Sequence, residues 1–391
     1  MPEKSKLQSH YYIGIMSGTS LDGVDVVLVE FTDDNSIILC SSYFQATEAK
    51  LQQQLLTISN PKWRGSLSEV GVLHQQLGTL FANAVNALLA QTNITPKQIK
   101  AIGSHGQTVW HQPTGAHPFS MQLGDANQIS ELTGITTVAD FRNRDIAAKG
   151  QGAPLVPAFH QEVFSHPHNN RVILNIGGIA NITLLPASTN KQQDNHQQTQ
   201  KNVSGFDTGP GNGLIDAWVS LHKDCRYDKN GDWGKSGKIL KNVLTQLLND
   251  VYFSAPIPKS TGKEVFNLAW LNGKLKDDIS NFKPEDIQAT LTELTAITIA
   301  DSIKNGRNET SYDECFVCGG GVHNQLLMKR LQIHLPDLAI HTTHKQGIDP
   351  DWLEAIAFAW LAKQTIEGKP SNLPSATGAK GLRVLGAIYH K

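Results

Sequence analysis

The run Ser17-Gly18-Thr19-Ser20-Leu21-Asp22-Gly23 brings three hydroxyls, two glycines and an acid into seven residues. Glycine lets the main chain approach a bound anion with no Cβ in the way, so backbone N–H groups and hydroxyls here suit a phosphate. Asp22 and Asp25 supply the one or two carboxylates that a hydrated Mg²⁺ takes beside phosphate oxygens. Asp-Gly is also the commonest hairpin signal, so the run alone reads as an ordinary turn as well. Three more glycine clusters follow: Gly177-Gly178, Gly205 to Gly213, and Gly319-Gly320-Gly321. The first, second and fourth clusters each end an apolar, strand-like run. Together they suit a nucleotide whose β- and γ-phosphates lie on paired hairpins, with adenosine near a strand–GGG–helix junction.

Rival signatures fail on spacing. Lys229 stands where a P-loop ending in Gly234-Lys235-Ser236 needs its first glycine, and Gly209-Pro210-Gly211-Asn212-Gly213 lacks the dinucleotide spacing GxGxxG. Gly18-Thr19-Ser20-Leu21-Asp22 ends in the wrong residue for a serine-hydrolase elbow, and no HExxH occurs. His105 and His111 are six apart, which fits no common metal-ligand pair. Cys315 and Cys318 form a CxxC inside an apolar run; three apart on a strand they point to opposite faces and read as core residues. Asp207 sits in Gly205-Phe206-Asp207-Thr208-Gly209-Pro210-Gly211, where a turn displays a carboxylate either as a general base or as an Asx-turn acceptor.

The elements that must hold these residues are legible in outline. Tyr11 to Met16 and Val24 to Phe31 flank the first cluster as two strands, and Arg171 to Ile176 with Ile179 to Leu185 repeat the pattern around Gly177-Gly178. Apolar spacings of three and four predict a helix from Leu67 to Gln91, and further helices over Gly237 to Asp250, Ile287 to Lys304 and Asp351 to Gln364. The last is read as capped by Asp349 before Pro350, with one core face of Trp352, Ile356 and Trp360. Ala187 to Val203 is rich in Gln and Asn and has no apolar face, so a surface loop is expected.

At 391 residues the chain is long enough for two lobes. With 34 basic against 35 acidic residues and a net charge of −1, it is no strongly basic nucleic-acid protein or polybasic membrane binder. No apolar run reaches the roughly 18 residues of a spanning helix. The N-terminal residues carry no apolar signal-like stretch, and four cysteines are too few for a disulfide scaffold, so a cytoplasmic protein is expected.

A family resemblance rests on many collinear strings. Gly14-Ile15-Met16-Ser17-Gly18-Thr19-Ser20-Leu21-Asp22-Gly23-Val24-Asp25 resembles the opening of bacterial anhydro-N-acetylmuramic acid kinases. So do Gly103-Ser104-His105-Gly106-Gln107-Thr108, Ala139-Asp140-Phe141-Arg142, Gln151-Gly152-Ala153-Pro154-Leu155-Val156-Pro157, Asn175-Ile176-Gly177-Gly178, Gly205 to Asn212, Pro258-Lys259-Ser260-Thr261-Gly262 and Val317-Cys318-Gly319-Gly320-Gly321. The resemblance implies an α/β fold of the actin/hexokinase/Hsp70 type: two RNase H-like lobes, mixed sheets flanked by helices, and an interlobe cleft. It implies a small-molecule reaction in which ATP, Mg²⁺, water and 1,6-anhydro-N-acetylmuramate give N-acetylmuramate 6-phosphate and ADP, and a homodimer.

By the same resemblance the nucleotide segment falls on Gly18, Thr19, Ser20, Leu21, Asp22, Gly23, Val24 and Asp25, and the catalytic aspartate on Asp207. Gly177, Gly178, Gly319, Gly320 and Gly321 complete the nucleotide set, and the metal ligands are left unassigned. For the sugar, Arg142 and Arg144 match a lactyl carboxylate, since a guanidinium fork pairs a carboxylate bidentately. Ser104, His105 and Gln107 match sugar hydroxyls or the N-acetyl group. Two departures stand out: Lys149 where a glycine is expected before Gly150, and Asn143 where a third arginine is frequent. The first lobe is expected over 1–140 and the second over 141–391, with the helix near 351–364 packing back on the first.

Overall fold

The computed structural model describes residues 10–18, 21–33, 36–60, 62–188, 203–257, 259–306 and 311–391. Two compact units emerge, Met1–Phe159 with Trp352–Lys391, and His160–Asp351. The first boundary thus falls at 159/160, beyond the expected 140/141. Buried Asp145 is one reason, because its Oδ1 accepts hydrogen bonds from Asn372 Nδ2 (2.8 Å) and Thr377 Oγ1 (2.9 Å), tying the 141–159 stretch to the C-terminal residues.

The first unit is built on β1 (His10–Met16), β2 (Gly23–Phe31), β3 (Ile37–Ala46), β4 (Ile99–Ser104), β7 (Thr137–Ala139) and β13 (Ala387–Tyr389), with a separate hairpin of β5 (Gln107–Gln112) and β6 (Phe119–Leu123). The sheet order is β13-β7-β4-β1-β2-β3. β1, β2 and β3 run antiparallel, while β4 is parallel to β1 and β7 to β4. One face carries Ile13, Ile15, Val24, Val26 and Leu28 into a core shared with Leu73, Leu77, Phe81, Val85 and Leu88 of the helix Leu67–Ala90. That helix starts where Ser66 Oγ accepts the Glu69 N–H at 3.2 Å.

The opposite face receives the helix Leu353–Ile366, which packs on β1 and β4. Gly14 and Gly103 are paired in register on those strands. A Cβ on Gly14 would lie 1.8 Å from Ala355 O, and one on Gly103 2.0 Å from Phe358 O, so both must lack a side chain for the helix to sit this close. The expected single core face is corrected here: Leu353, Ala355, Ile356, Ala357, Phe358, Ala359, Trp360, Leu361 and Ala362 are all buried. Its start is corrected too, to Leu353, because Asp349 Oδ1 accepts the Asp351 N–H (3.0 Å) in a turn that precedes the helix.

The second unit holds β8 (Arg171–Ile176), β9 (Ile179–Leu185), β10 (Ser204–Pro210), β11 (Glu314–Cys318) and β12 (Ala339–Thr342), in the order β10-β9-β8-β11-β12. β8, β9 and β10 are antiparallel; β11 is parallel to β8, and β12 to β11. Val172, Leu174, Ile182, Leu184, Phe206, Cys315 and Val317 face a core shared with Ala296, Ile299 and Ile303 of the helix Pro284–Asn305 and Leu327 and Leu331 of the helix Gln325–His334.

Numbered within each sheet, both run third strand, second, first, fourth, fifth, with three antiparallel strands followed by two parallel ones; the first sheet adds a sixth strand, β13, antiparallel to β7. This is the RNase H-like arrangement, present twice, each sheet mixed and flanked by helices. Both cysteines of the CxxC are buried on β11, as expected of a core strand. No helix among the described residues is long and apolar enough to cross a membrane. The Gln/Asn-rich stretch lies, over 189–202, outside the described residues.

Candidate active site

In the first unit the β1–β2 connection is longer than a two-residue hairpin. Met16 pairs with Asp25, and Gly23 already belongs to β2, opposite Ala46. The simple Asp-Gly turn is therefore not what forms. Leu21 adopts a left-handed backbone (φ 59°) and its N–H reaches Gly18 O at 3.3 Å. Leu21 and Val24 are buried in the core, Asp22 is exposed and Asp25 half-buried. Thr19 and Ser20 lie outside the described residues. A Cβ on Gly23 would come within 2.3 Å of the Phe44 ring, so this glycine already has a packing reason.

Three of the expected sugar residues, Arg142, His105 and Gln107, form one hydrogen-bonded chain through Ser17. Arg142 Nη1 donates to Gly152 O (2.8 Å) and Nη2 lies 2.8 Å from His105 Nε2. A guanidinium only donates, so His105 Nε2 accepts and the ring proton sits on Nδ1. Nδ1–H then donates to Ser17 O (3.1 Å), while Ser17 Oγ donates to Gln107 Oε1 (2.6 Å). Burial, and then the charge of Arg142, push the His105 pKa down to about 3, so the ring stays neutral. Both ring nitrogens are committed, which makes His105 a bridge from Arg142 to the Ser17 turn. Next to it, the Ser104 hydroxyl is buried and has no hydrogen-bond partner among the described residues.

Arg144 differs from Arg142: it is exposed on the short helix Phe141–Ala147 and makes no ion pair or hydrogen bond among the described residues. Asn143, on the same helix, brackets Ser120 of β6. Its Oδ1 accepts the Ser120 N–H (3.0 Å), and its Nδ2 donates to Ser120 O (2.9 Å) and Asp140 Oδ1 (2.7 Å). Lys149 has φ 72°, the left-handed region that favours glycine, which gives a backbone reason for the glycine expected there. Beyond it, a Cβ on Gly150 would sit 2.1 Å from Asp145 Oδ2.

In the second unit Asp207 lies on a strand, which corrects the reading of Gly205 to Gly211 as a turn. β10 pairs with β9 over Ser204–Pro210, with a bulge between Asp207 and Gly209, where Gly209 takes φ 141°. The register sets Asp207 opposite Asn181 and Asn181 opposite Asn175, a polar row on the face away from the core. The neighbouring chain holds Asp207 three times: Thr261 N–H donates to its Oδ2 (2.9 Å), its own N–H donates to Lys259 O (3.0 Å), and Tyr252 OH donates to its carbonyl (2.7 Å). Thr261 Oγ1 is buried and has no hydrogen-bond partner among the described residues. Sequence reading did not single out Asn175, Asn181, Tyr252, Lys259 or Thr261 as site residues. The signal available for the two asparagines was a polar residue interrupting each apolar strand.

The Gly177-Gly178 turn is gripped by a helix start: Gly211 and Gly213 N–H donate to Gly178 O (both 3.0 Å) and Asn212 N–H to Gly177 O (2.8 Å). Cβ atoms on Gly211 and Gly213 would press on Gly177 O (2.3 Å) and Gly178 O (2.7 Å). The triple glycine packs against the end of β8, where a Cβ on Gly319 would meet Asn175 Oδ1 (2.3 Å) and one on Gly321 the Ile176 side chain (2.4 Å). Gly319 also has φ 77°. A Cβ on Gly178 would meet only the mobile end of Lys263 (2.1 Å to Cε). Gly177 and Gly320 stand apart, since a Cβ there would approach nothing closer than Ile179 O at 3.6 Å and Asn212 Nδ2 at 3.9 Å. Packing does not demand glycine at these two positions.

Comparison with known proteins gives a family model described as anhydro-N-acetylmuramic acid kinase that matches residues 10–391. The anhydro-N-acetylmuramic acid kinase of Photobacterium profundum is 52% identical, covering 97% of this chain and 98% of the relative. That of Pasteurella multocida is 49% identical, covering 97% of each. Among solved structures, component A of the (R)-2-hydroxyglutaryl-CoA dehydratase of Acidaminococcus fermentans is similar with a TM-score of 0.47 at 10% identity, covering 92% of this chain and 100% of that one.

Proposed function

The chain belongs to the anhydro-N-acetylmuramic acid kinase family, and from that premise we propose that it opens the 1,6-anhydro ring of 1,6-anhydro-N-acetylmuramate with water and phosphorylates O6 from ATP, in the recycling of cell-wall amino sugars. The observation that carries the reading is the family match over residues 10–391. Asp207, held at its backbone and its carboxylate, suits the general base. It takes a proton from the water that attacks C1; the C1–O6 bond breaks, and O6 attacks the γ-phosphorus and displaces ADP. Phosphorylation stabilises the leaving O6, so the second carboxylic acid of an inverting glycosidase is not required.

ATP contacts are assigned to Gly18 through Asp25 in the first unit and to Gly177, Gly178, Gly319, Gly320 and Gly321 in the second. The spare room at Gly177 and Gly320 supports that assignment. Mg²⁺ is part of the proposal, and Asp22 and Asp25, beside the proposed phosphate turn, would supply carboxylates to it together with phosphate oxygens and water. Arg144, exposed and uncommitted, is the better candidate for the lactyl carboxylate. Arg142 and His105 hold the Ser17 turn, and with Ser104 and Gln107 beside them they complete the proposed sugar set. A cytoplasmic location and a homodimer belong to the same proposal; sedimentation velocity reads the second.

The test is turnover in ¹⁸O-labelled water with ATP, Mg²⁺ and the anhydro sugar. Label at C1 of a 6-phosphorylated product is expected. A phosphorylated product with the ring intact points to an ordinary sugar kinase, and either that or no turnover refutes the proposal.

A further inference from the structure

We infer that Tyr252, braced by Lys259, is a positioning residue for Asp207, an inference that rests on the proposed role of Asp207 as the base. β10 is the edge strand of its sheet, and its bulge falls just after Asp207. An edge strand with a bulge has half of its main-chain groups unpaired, and the local backbone is the least constrained in the sheet. A carboxylate placed there needs an outside hold to keep a fixed direction.

Tyr252, Lys259 and Thr261 provide one. The Asp207 N–H is taken by Lys259 O at 3.0 Å, its C=O by Tyr252 OH at 2.7 Å, and its Oδ2 by Thr261 N–H at 2.9 Å. The holder is itself closed into a ring. Lys259 Nζ donates to Tyr252 O and Phe253 O, both at 3.0 Å, and lies 4.7 Å from the centre of the Tyr252 ring. Tyr252 meets Phe266 edge-on at 5.4 Å and Phe253 stacks on Phe266 at 5.5 Å, and Phe266 is buried in a core with Leu271 and Leu291. Burial, followed by the charge of Asp207, raises the Tyr252 phenol well above its ordinary pKa, so it remains a donor. The ammonium of Lys259 donates to two main-chain carbonyl oxygens of the segment that carries Tyr252 and so braces it. Tyr252 thus sets the backbone from which the Asp207 carboxylate projects, and does not touch the reacting atoms.

Tyr252→Phe removes the hydroxyl and keeps the ring packing; Lys259→Met removes the brace and keeps the aliphatic stem. Both are compared with the unaltered full chain in steady-state kinetics and in hydrogen exchange of the peptide that contains Asp207. For Tyr252→Phe, kcat is expected to fall about tenfold, the effect of one lost hydrogen bond expressed in the transition state, with KM for ATP and sugar within about twofold. Lys259→Met is expected to fall in the same direction, and exchange at the Asp207 amide is expected to quicken in both. Unchanged kcat in Tyr252→Phe, or a loss carried by KM, overturns the inference. If the unaltered chain does not turn the sugar over, the functional reading fails, and exchange alone decides: unchanged protection of the Asp207 amide in Tyr252→Phe overturns the positioning role.

Discussion

Asp207→Asn separates chemistry from structure at the candidate base. The Asp207 Oδ2 accepts the Thr261 N–H at 2.9 Å, and its two main-chain bonds, to Lys259 O and from Tyr252 OH, do not involve the side chain. An asparagine Oδ1 can accept the same N–H, so that bond loses its charge assistance but is kept, at about 1 kcal/mol of stability or less. Removing a general base costs about 10²- to 10⁴-fold in rate, or roughly 3–5 kcal/mol of barrier. The expectation is therefore a kcat lowered by at least about a hundredfold, with an unfolding midpoint and an ATP affinity close to those of the unaltered chain. Coupled ADP release, calorimetric titration with nucleotide and a urea melt measure the three quantities. A kcat within about threefold of normal would refute the base assignment. A collapse of stability would refute the account of how the side chain is held.

Acid should weaken the fold before its carboxylates titrate. Burial pushes His105 and His160 each down to about 3 from an ordinary value near 6.5, so between those limits the unfolded chain binds more protons and stability rises with pH. At pH 5 each costs roughly 2 kcal/mol relative to pH 8, and urea midpoints that do not move between those pH values would contradict the burial argument. Gly14→Ala should cost about 3 kcal/mol or more, because its Cβ would press on Ala355 O, whereas Gly177→Ala should leave stability within about 1 kcal/mol and weaken ATP binding. Paired melts and nucleotide titrations check both, and equal stability losses would undo the distinction. Arg144→Ala should raise KM for the sugar about tenfold or more with an unchanged melting temperature, and an unchanged KM would remove it from the site.

The two leading hairpins were legible because each strand is a local apolar run beside a glycine turn. β10 was not. Gly205, Gly209 and Pro210 read locally as turn residues, yet the segment becomes a strand by pairing with β9 across the intervening Ala187–Val203 stretch, and the bulge absorbs the backbone of Gly209. The helix Leu353–Ile366 was legible as a helix but not as one buried all round. Its packing depends on Gly14 and Gly103, more than 200 residues earlier in the chain. His105 shows the same limit at the site. Its residue type suggested a sugar contact, and only the geometry shows both ring nitrogens committed to Arg142 and Ser17.

The two sheets repeat one strand order, and Asp207 lies on the third strand of the second. Both units connect their first two strands through a glycine turn, yet the third strands have diverged. β3 exposes Ile38 and Phe44 at its edge, whereas β10, in the equivalent place, carries Asp207 and is covered by Tyr252, Lys259 and Thr261. One copy of the arrangement thus carries a carboxylate with its own support, in a row continued by Asn181 and Asn175. Gene-level identity between the units is not needed for this, since strand order alone preserves the equivalent positions. The glycines divide along the same line. Gly14, Gly23, Gly103, Gly319 and Gly321 are required by neighbouring protein atoms, and Gly177 and Gly320 are not. A glycine cluster in the sequence therefore mixes positions that packing requires with positions that it leaves open.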